Sequence, residues 1–178
     1  MNRMIKWSER EFSFNKRFLA TIAAGVLFLF LIPVLLTRGL PTVDKMIGLP
    51  SFSFGIINVL VGGIMVLIGA TYALWSIISQ LTRAKGTPLP MMATQKLLID
   101  GPFKHSRNPM GFGAICMYLG MSIIVGSLSS VIVVLFFLFL LVFWIKKVEE
   151  KELEIRFGQD YKEYIKNTPF MIPRPWRK

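Results

Sequence analysis

The 178-residue chain offers few groups that could do chemistry, with one His, one Cys and ten acids among its residues. The most promising lie in two short stretches. His105, Arg107 and Asn108 fall within Gly101-Pro-Phe-Lys-His-Ser-Arg-Asn-Pro-Met110, and Glu149 and Glu150 form an acidic pair after a long apolar run. Brought together, they would offer a fixed cation for a carboxylate or phosphate and two anions for a cationic ligand. A zwitterionic, net-cationic molecule such as S-adenosylmethionine, with its carboxylate, ammonium and sulfonium, complements that set. Position alone leaves a second reading open, in which Arg107 and Glu149 are an interfacial ion pair or snorkelling side chains. His105 taken alone reads as an exposed loop histidine.

Other chemistries lack their residues. Without a His-Glu-x-x-His, a Cys-x-x-Cys or a cluster of thiolates and imidazoles, no dedicated metal site is expected. Ser106 adjoins His105, but adjacency in sequence is not the geometry of a triad. Gly111-Phe-Gly113 is a bare G-x-G, too short for a dinucleotide fingerprint. Cys116 lies in an apolar stretch, reads as core packing, and as a lone cysteine leaves no intrachain disulfide.

The elements that must position the polar groups are hydrophobic. Hydrophobic residues make up 53% of the chain and charged ones 17%, yet the net charge is +11. The apolar residues come in blocks, which argues against an ordinary water-soluble enzyme. The basic residues fall between segments of hydrocarbon length, so no nucleic-acid partner is expected. Residues 18–37 and 54–81 are long enough to cross about 30 Å of hydrocarbon. The runs 111–126 and 131–145 are shorter and predict a tight helical hairpin about the uncharged turn 126–130. Pro33 is expected to kink or end the first span, and Gly55, Gly62, Gly63 and Gly69 to let helices approach closely. A 17-residue segment precedes the first run with no A-x-A site after it, so that run is expected to stay as an anchor.

Nineteen of the 21 Lys and Arg residues fall in 1–17, 82–110 and 146–178. That asymmetry predicts an all-α, multi-pass integral membrane protein of four spans in a single domain, 1–178, with both termini cytoplasmic. The membrane would be the inner membrane of a prokaryotic cell or the endoplasmic reticulum of a eukaryotic one. Gly86, Pro88 and Pro90 predict turn or extended backbone in the middle segment. Beyond the fourth span, Ile145, Glu149, Leu153, Phe157 and Tyr161 recur every four residues and share one slowly drifting helix face. Glu149 is thus expected to face inward with Glu150 about 100° round the helix, and Gly158 to weaken or end the helix. The antiparallel hairpin would bring Arg107 and the Glu pair to one depth.

Three pieces in this order, Gly86-Thr-Pro-x-Pro90, Leu97-Leu-Ile-x-Gly-Pro-Phe-x-x-x-Arg-Asn-Pro-Met110 and Glu149-Glu-x-x-Leu-x-x-x-Phe-Gly-x-x-Tyr-x-x-Tyr164 with Ile172-Pro173 beyond, resemble the isoprenylcysteine carboxyl methyltransferase and phospholipid methyltransferase superfamily. The resemblance covers roughly residues 60–173. It implies a membrane methyltransferase that uses S-adenosylmethionine, with cofactor contacts from His105, Arg107, Asn108, Pro109, Glu149 and Glu150. Arg107 and Glu149 are the expected catalytic pair, and Tyr161 and Tyr164 would shape or cover the pocket. Two positions depart from the pattern: Asn108 stands where His is frequent, and Gly111 where Tyr is usual, leaving Phe112 as the nearby aromatic that could replace it.

The resemblance implies an acceptor that is a membrane lipid or a prenylated small substrate within the bilayer, with no obligate protein partner. Carboxyl O-methylation of an isoprenylcysteine is the first expectation. N-methylation of a phospholipid amine such as phosphatidylethanolamine is the alternative within the same chemistry. A reductase related to the membrane sterol reductases is disfavoured by length and by the paired Glu149-Glu150. A non-enzymatic four-helix membrane protein predicts tolerance of Arg107→Ala and Glu149→Ala, and no acid or base lies within a span to mark a transport path.

Overall fold

The computed structural model describes residues 12–85, 87 and 94–174, and among these all regular structure is helical. Gly86, Pro88 and Pro90, the basic residues Arg3, Lys6 and Arg10, and the last four residues lie outside the described residues. Four long helices run up and down: α1 (Phe14–Met46), α2 (Ile56–Arg83), α3 (Pro109–Val125) and α4 (Leu128–Asn167). Helices α1, α2 and α4 are long and apolar enough to cross a membrane, and α3 is a shorter apolar helix of 17 residues. One end of the bundle carries residues 94–108 and the last turns of α4. The other carries the α3–α4 turn.

Helix α1 corrects one of the two expectations for Pro33, that it would end the span. The chain stays helical through both Pro33 and Pro41, and a π-helical turn stands just before each, Leu27–Leu31 and Leu35–Gly39. A proline ring collides with the carbonyl four residues earlier; a widened turn at that point relieves the collision, so the helix runs on to Met46. The expected loop over residues 38–53 is correspondingly shorter. At α4 the apolar segment and the polar helix after it are likewise one helix, widened by a π-turn at Ile145–Glu149. Gly158, at φ 54° and ψ −122°, breaks the helical geometry as expected, so that two helical segments meet there at a kink and the second runs to Asn167.

The closest contact in the bundle is a glycine seam between α2 and α3. A Cβ added to Gly62 would come within 2.5 Å of the Gly120 carbonyl oxygen, and one added to Gly69 would lie equally close to that of Gly113. Backbone thus meets backbone, as small-residue spacing in apolar helices allows. Gly55 and Gly63 have no atom within 4 Å of such a Cβ and take no part. The core beside the seam is formed by Leu36, Ile115, Met117, Tyr118 and Val134.

The α3–α4 turn is tighter than expected. Gly126 caps α3 in the left-handed region at φ 69°, and Ser127 caps α4 by accepting from the Ser130 N–H. Around it lies a polar cluster. The Ser127 hydroxyl donates to Asp44 Oδ2 at 2.5 Å, Ser130 Oγ donates to the Leu36 carbonyl at 2.7 Å, and Asn58 Nδ2 donates to the Ile123 carbonyl at 2.8 Å. These bonds tie the ends of α1, α2 and α3 to the turn. At the opposite end Arg17 Nη1 donates to the Leu81 carbonyl at 2.9 Å, which sets α1 antiparallel to α2.

Candidate functional site

The chain from Gly101 to Pro109 is shaped by its own turn residues. Gly101 takes φ 59° and opens a 3-10 turn through Lys104. Pro109 begins α3, where its missing N–H costs nothing because the first helical N–H groups have no intrahelical acceptor. The segment in between would be left with unpaired backbone, and residues 168–174 cover it as a strap. The Arg107 N–H donates to the Pro169 carbonyl, the Arg174 N–H to the His105 carbonyl, and Asn108 Nδ2 to the Phe170 carbonyl at 2.8 Å. Ser106 Oγ donates to the Met171 carbonyl at 2.7 Å, and Tyr164 OH to the Phe103 carbonyl at 2.6 Å. The strap therefore fixes where Arg107 stands.

Arg107 and the Glu pair do meet. Arg107 Nη1 lies 2.5 Å from Glu150 Oε1, in a pair with little exposure of either side chain. The guanidinium also stacks over the Phe170 ring, its carbon 5.6 Å from the centroid, with Lys146 Nζ 4.7 Å from the same centroid. The cation is thus paired with Glu150, and Glu149 is left without an ion-pair partner among the described residues.

Glu149 faces a cavity of about 1140 Å³. A site for one drug-sized ligand usually holds roughly 300–1,000 Å³, so this space lies just above that range. Its apolar walls include Phe28 and Leu29 of α1, Leu74 and Ile77 of α2, and Phe137 and Leu141 of α4. Its polar end is formed by Arg107, Asn108, Glu149, Glu152, Arg156 and Gln80. Tyr161 and Tyr164 line it too. His105, Pro109 and Glu150 do not: His105 Nδ1 lies 3.1 Å from the Arg174 carbonyl oxygen, Pro109 is buried at the start of α3, and Glu150 stands behind Arg107.

The electrostatics set Glu149 apart. It lies past Lys146 and Lys147, outside the apolar span, and is among the residues that line the cavity; its surface is exposed, while protein atoms crowd around its carboxyl. Burial, followed by the nearby charges of Glu152 and Glu150, pushes its carboxyl from 4.5 up to about 7. Glu152 differs because Arg156 Nη1 lies 3.2 Å from its Oε1. Burial also pushes the Tyr161 phenol up to about 12 and the Tyr164 phenol higher still, so both stay protonated.

Two buried polar atoms among the described side chains lack a hydrogen-bond partner, Arg107 Nε and Gln80 Oε1, and both residues line the cavity. Gln80, Glu152 and Arg156 were not singled out in the sequence. For Glu152 and Arg156 the four-residue spacing is the signal of a pair. Gln80 sits with Ser76, Ser79 and Thr82 near the end of an apolar run, where nothing in the sequence singles it out. At Gly111 an added Cβ would lie 3.3 Å from Leu141 Cδ2, leaving little room for a larger side chain. Phe112 does not replace the missing aromatic, because its ring packs edge-on against Tyr72 and does not line the cavity.

Helices of membrane-spanning length around a deep, mostly apolar cavity with a charged mouth define an integral membrane protein with a site at the end of its bundle. The family described as phospholipid methyltransferase matches residues 57–160, more than half of the chain, and the protein belongs to that family. Curated proteins and solved structures yield no significant match. The matched residues run from α2 to just before Tyr161 and contain the loop, the hairpin and the acidic pair. Membership makes the chain a membrane methyltransferase by family, and such enzymes generally use S-adenosylmethionine. The residues present fit that group: an uncompensated carboxylate at Glu149 suits its positive charge, and the orphan Arg107 Nε is a donor for its carboxylate.

Proposed function

We propose that the protein transfers a methyl group from S-adenosylmethionine to a lipid or lipid-anchored acceptor held in the bilayer. The observation that carries this reading is the continuity of one cavity from walls of lipid-facing helices to Arg107 and Glu149. The acceptor's apolar chain lies along α1, α2 and α4, and its reactive head reaches the polar end. The basic residues flanking the loop end support a cytoplasmic placement for it.

Bound S-adenosylmethionine supplies an electrophilic methyl on sulfur. The chain's own part is to hold the reactants about 3 to 3.5 Å apart in line, to exclude water and to manage one proton. Arg107, fixed by Glu150, Phe170 and the strap, orients an anionic group. Glu149 balances a positive charge in the cavity. Transfer to a nitrogen would form the N–C bond from a lone pair first freed of its proton, with the S–C pair left on sulfur. The nitrogen sheds one proton, which Glu149 accepts.

Glu149 favours an amine acceptor, since its proton affinity near neutrality is that of a general base. An isoprenylcysteine-type carboxylate needs no base; it is supported by the motif resemblance and by the Arg107 donor. Purified protein in nanodiscs, given methyl-labelled S-adenosylmethionine and either membrane lipids or a prenylated cysteine, separates the two. Label in a base-stable lipid fraction indicates the amine, and label released by base as methanol indicates the carboxyl ester. Absence of transfer to either, with no S-adenosylhomocysteine binding at millimolar concentration by folded protein, overturns the reading.

A further inference from the structure

Gln80 has a place in the cavity that its neighbours on α2 do not share. Ser76 Oγ donates to the Tyr72 carbonyl at 2.6 Å, Thr82 Oγ1 donates to the Ile78 carbonyl at 2.7 Å, and Ser79 Oγ accepts from Arg83 Nη2 at 2.5 Å. Each of these side chains is satisfied within its own helix. Gln80 instead lies on the face that also carries Ala73 and Ile77, which look into the cavity, and its Oε1 is buried without a partner. A buried acceptor left unpaired is costly in a folded chain. Such a group persists where something absent from the chain satisfies it.

Its surroundings specify the kind of partner. The same cavity is lined by Thr94, Leu98 and Phe103, and one of its cations is already engaged: Arg156 Nη2 donates to the Thr94 carbonyl and Nη1 pairs with Glu152. A ligand that fills this space must bring its own hydrogen-bond donor to Oε1, with apolar surface beside it. The other orphan atom of the cavity, Arg107 Nε, is a donor and calls for an acceptor. The two are complementary to a ligand that carries both.

We propose that Gln80 is a ligand-recognition residue whose Oε1 accepts an N–H from the bound substrates. The N–H comes either from the amino group on the cosubstrate's base or from the ammonium of the acceptor's head. The inference rests on the methyltransferase reading and adds a polar contact from α2, which otherwise gives the cavity only apolar wall. Gln80→Leu keeps the bulk and removes the acceptor; Gln80→Glu keeps an acceptor.

The test combines three measurements on the purified full chain: thermal stability without ligand, S-adenosylhomocysteine affinity by titration calorimetry, and acceptor KM. Gln80→Leu is expected to hold or raise the stability of the ligand-free protein, since it removes an unsatisfied group. If the cosubstrate supplies the N–H, its S-adenosylhomocysteine affinity falls about tenfold. If the acceptor supplies it, that affinity stays and acceptor KM rises by a similar factor. Gln80→Glu retains binding in the affected arm. Unchanged affinity and KM in a folded Gln80→Leu protein overturn the inference while leaving the methyltransferase reading intact. Failure of the unmodified protein to bind S-adenosylhomocysteine or transfer methyl groups overturns that reading first.

Discussion

The two ends of the bundle treat polar groups in opposite ways. At the α3–α4 turn, Asp44, Asn58, Ser127 and Ser130 are buried and hydrogen-bonded to one another or to helix-end backbone. At the loop end, Arg107 Nε and Gln80 Oε1 lack partners, and Glu149 lines the cavity with no ion-pair partner among the described residues. Satisfied polar groups hold helices in register. Unsatisfied ones facing a cavity store binding capacity for a ligand. On the proposed function, the turn end serves the fold and the loop end serves the chemistry.

The largest effect should come from breaking the chemical end. Glu149→Gln is expected to lower kcat/KM by on the order of 10²–10⁴-fold, the range of general-base losses, with helix content by circular dichroism unchanged. Loss of folded protein instead would place Glu149 with the structural groups. Next, Asn58→Leu strips partners from the Phe54 N–H and from the Phe52 and Ile123 carbonyls. It should cost about 2–3 kcal/mol of stability, read by denaturation in detergent, while turnover per folded molecule stays the same. A fall in turnover at full folding would erase the distinction between the ends.

The smallest effect is in pH. Glu149 binds its proton more tightly in the folded protein than at its ordinary value of 4.5, so its contribution to stability is greatest below 4.5 and is lost as pH rises through about 7. Glu149→Gln should remove that loss from a pH series of melting curves. Cation binding has the opposite dependence, because it requires the ionised carboxylate. Affinity for S-adenosylmethionine should fall by about tenfold per unit below pH 7, more steeply than that for S-adenosylhomocysteine, whose sulfur is neutral. Parallel slopes for the two would detach Glu149 from the sulfonium.

Much of this was legible in the sequence. Block hydrophobicity yields four apolar helices because a chain in hydrocarbon must satisfy its backbone internally. The four-residue recurrence from Ile145 to Tyr161 placed Glu149 on the inward face, and the hairpin implied that Arg107 meets the acidic pair. Misjudged features depend on local backbone geometry: the π-turns that carry α1 past Pro33 and Pro41 have no residue signature of their own. Phe112 was a fair stand-in by type, but its direction follows from Tyr72 on another helix.

The sequence by itself determined the class of protein, the bundle and the residues able to meet a charged ligand, because hydropathy and helical period act along the chain. Only the tertiary structure decided which carboxylate pairs with Arg107, that Glu149 is the one left free, and that Gln80 shares its cavity. Those outcomes depend on distances between elements far apart in the chain, set by the glycine seam, the turn and the strap together.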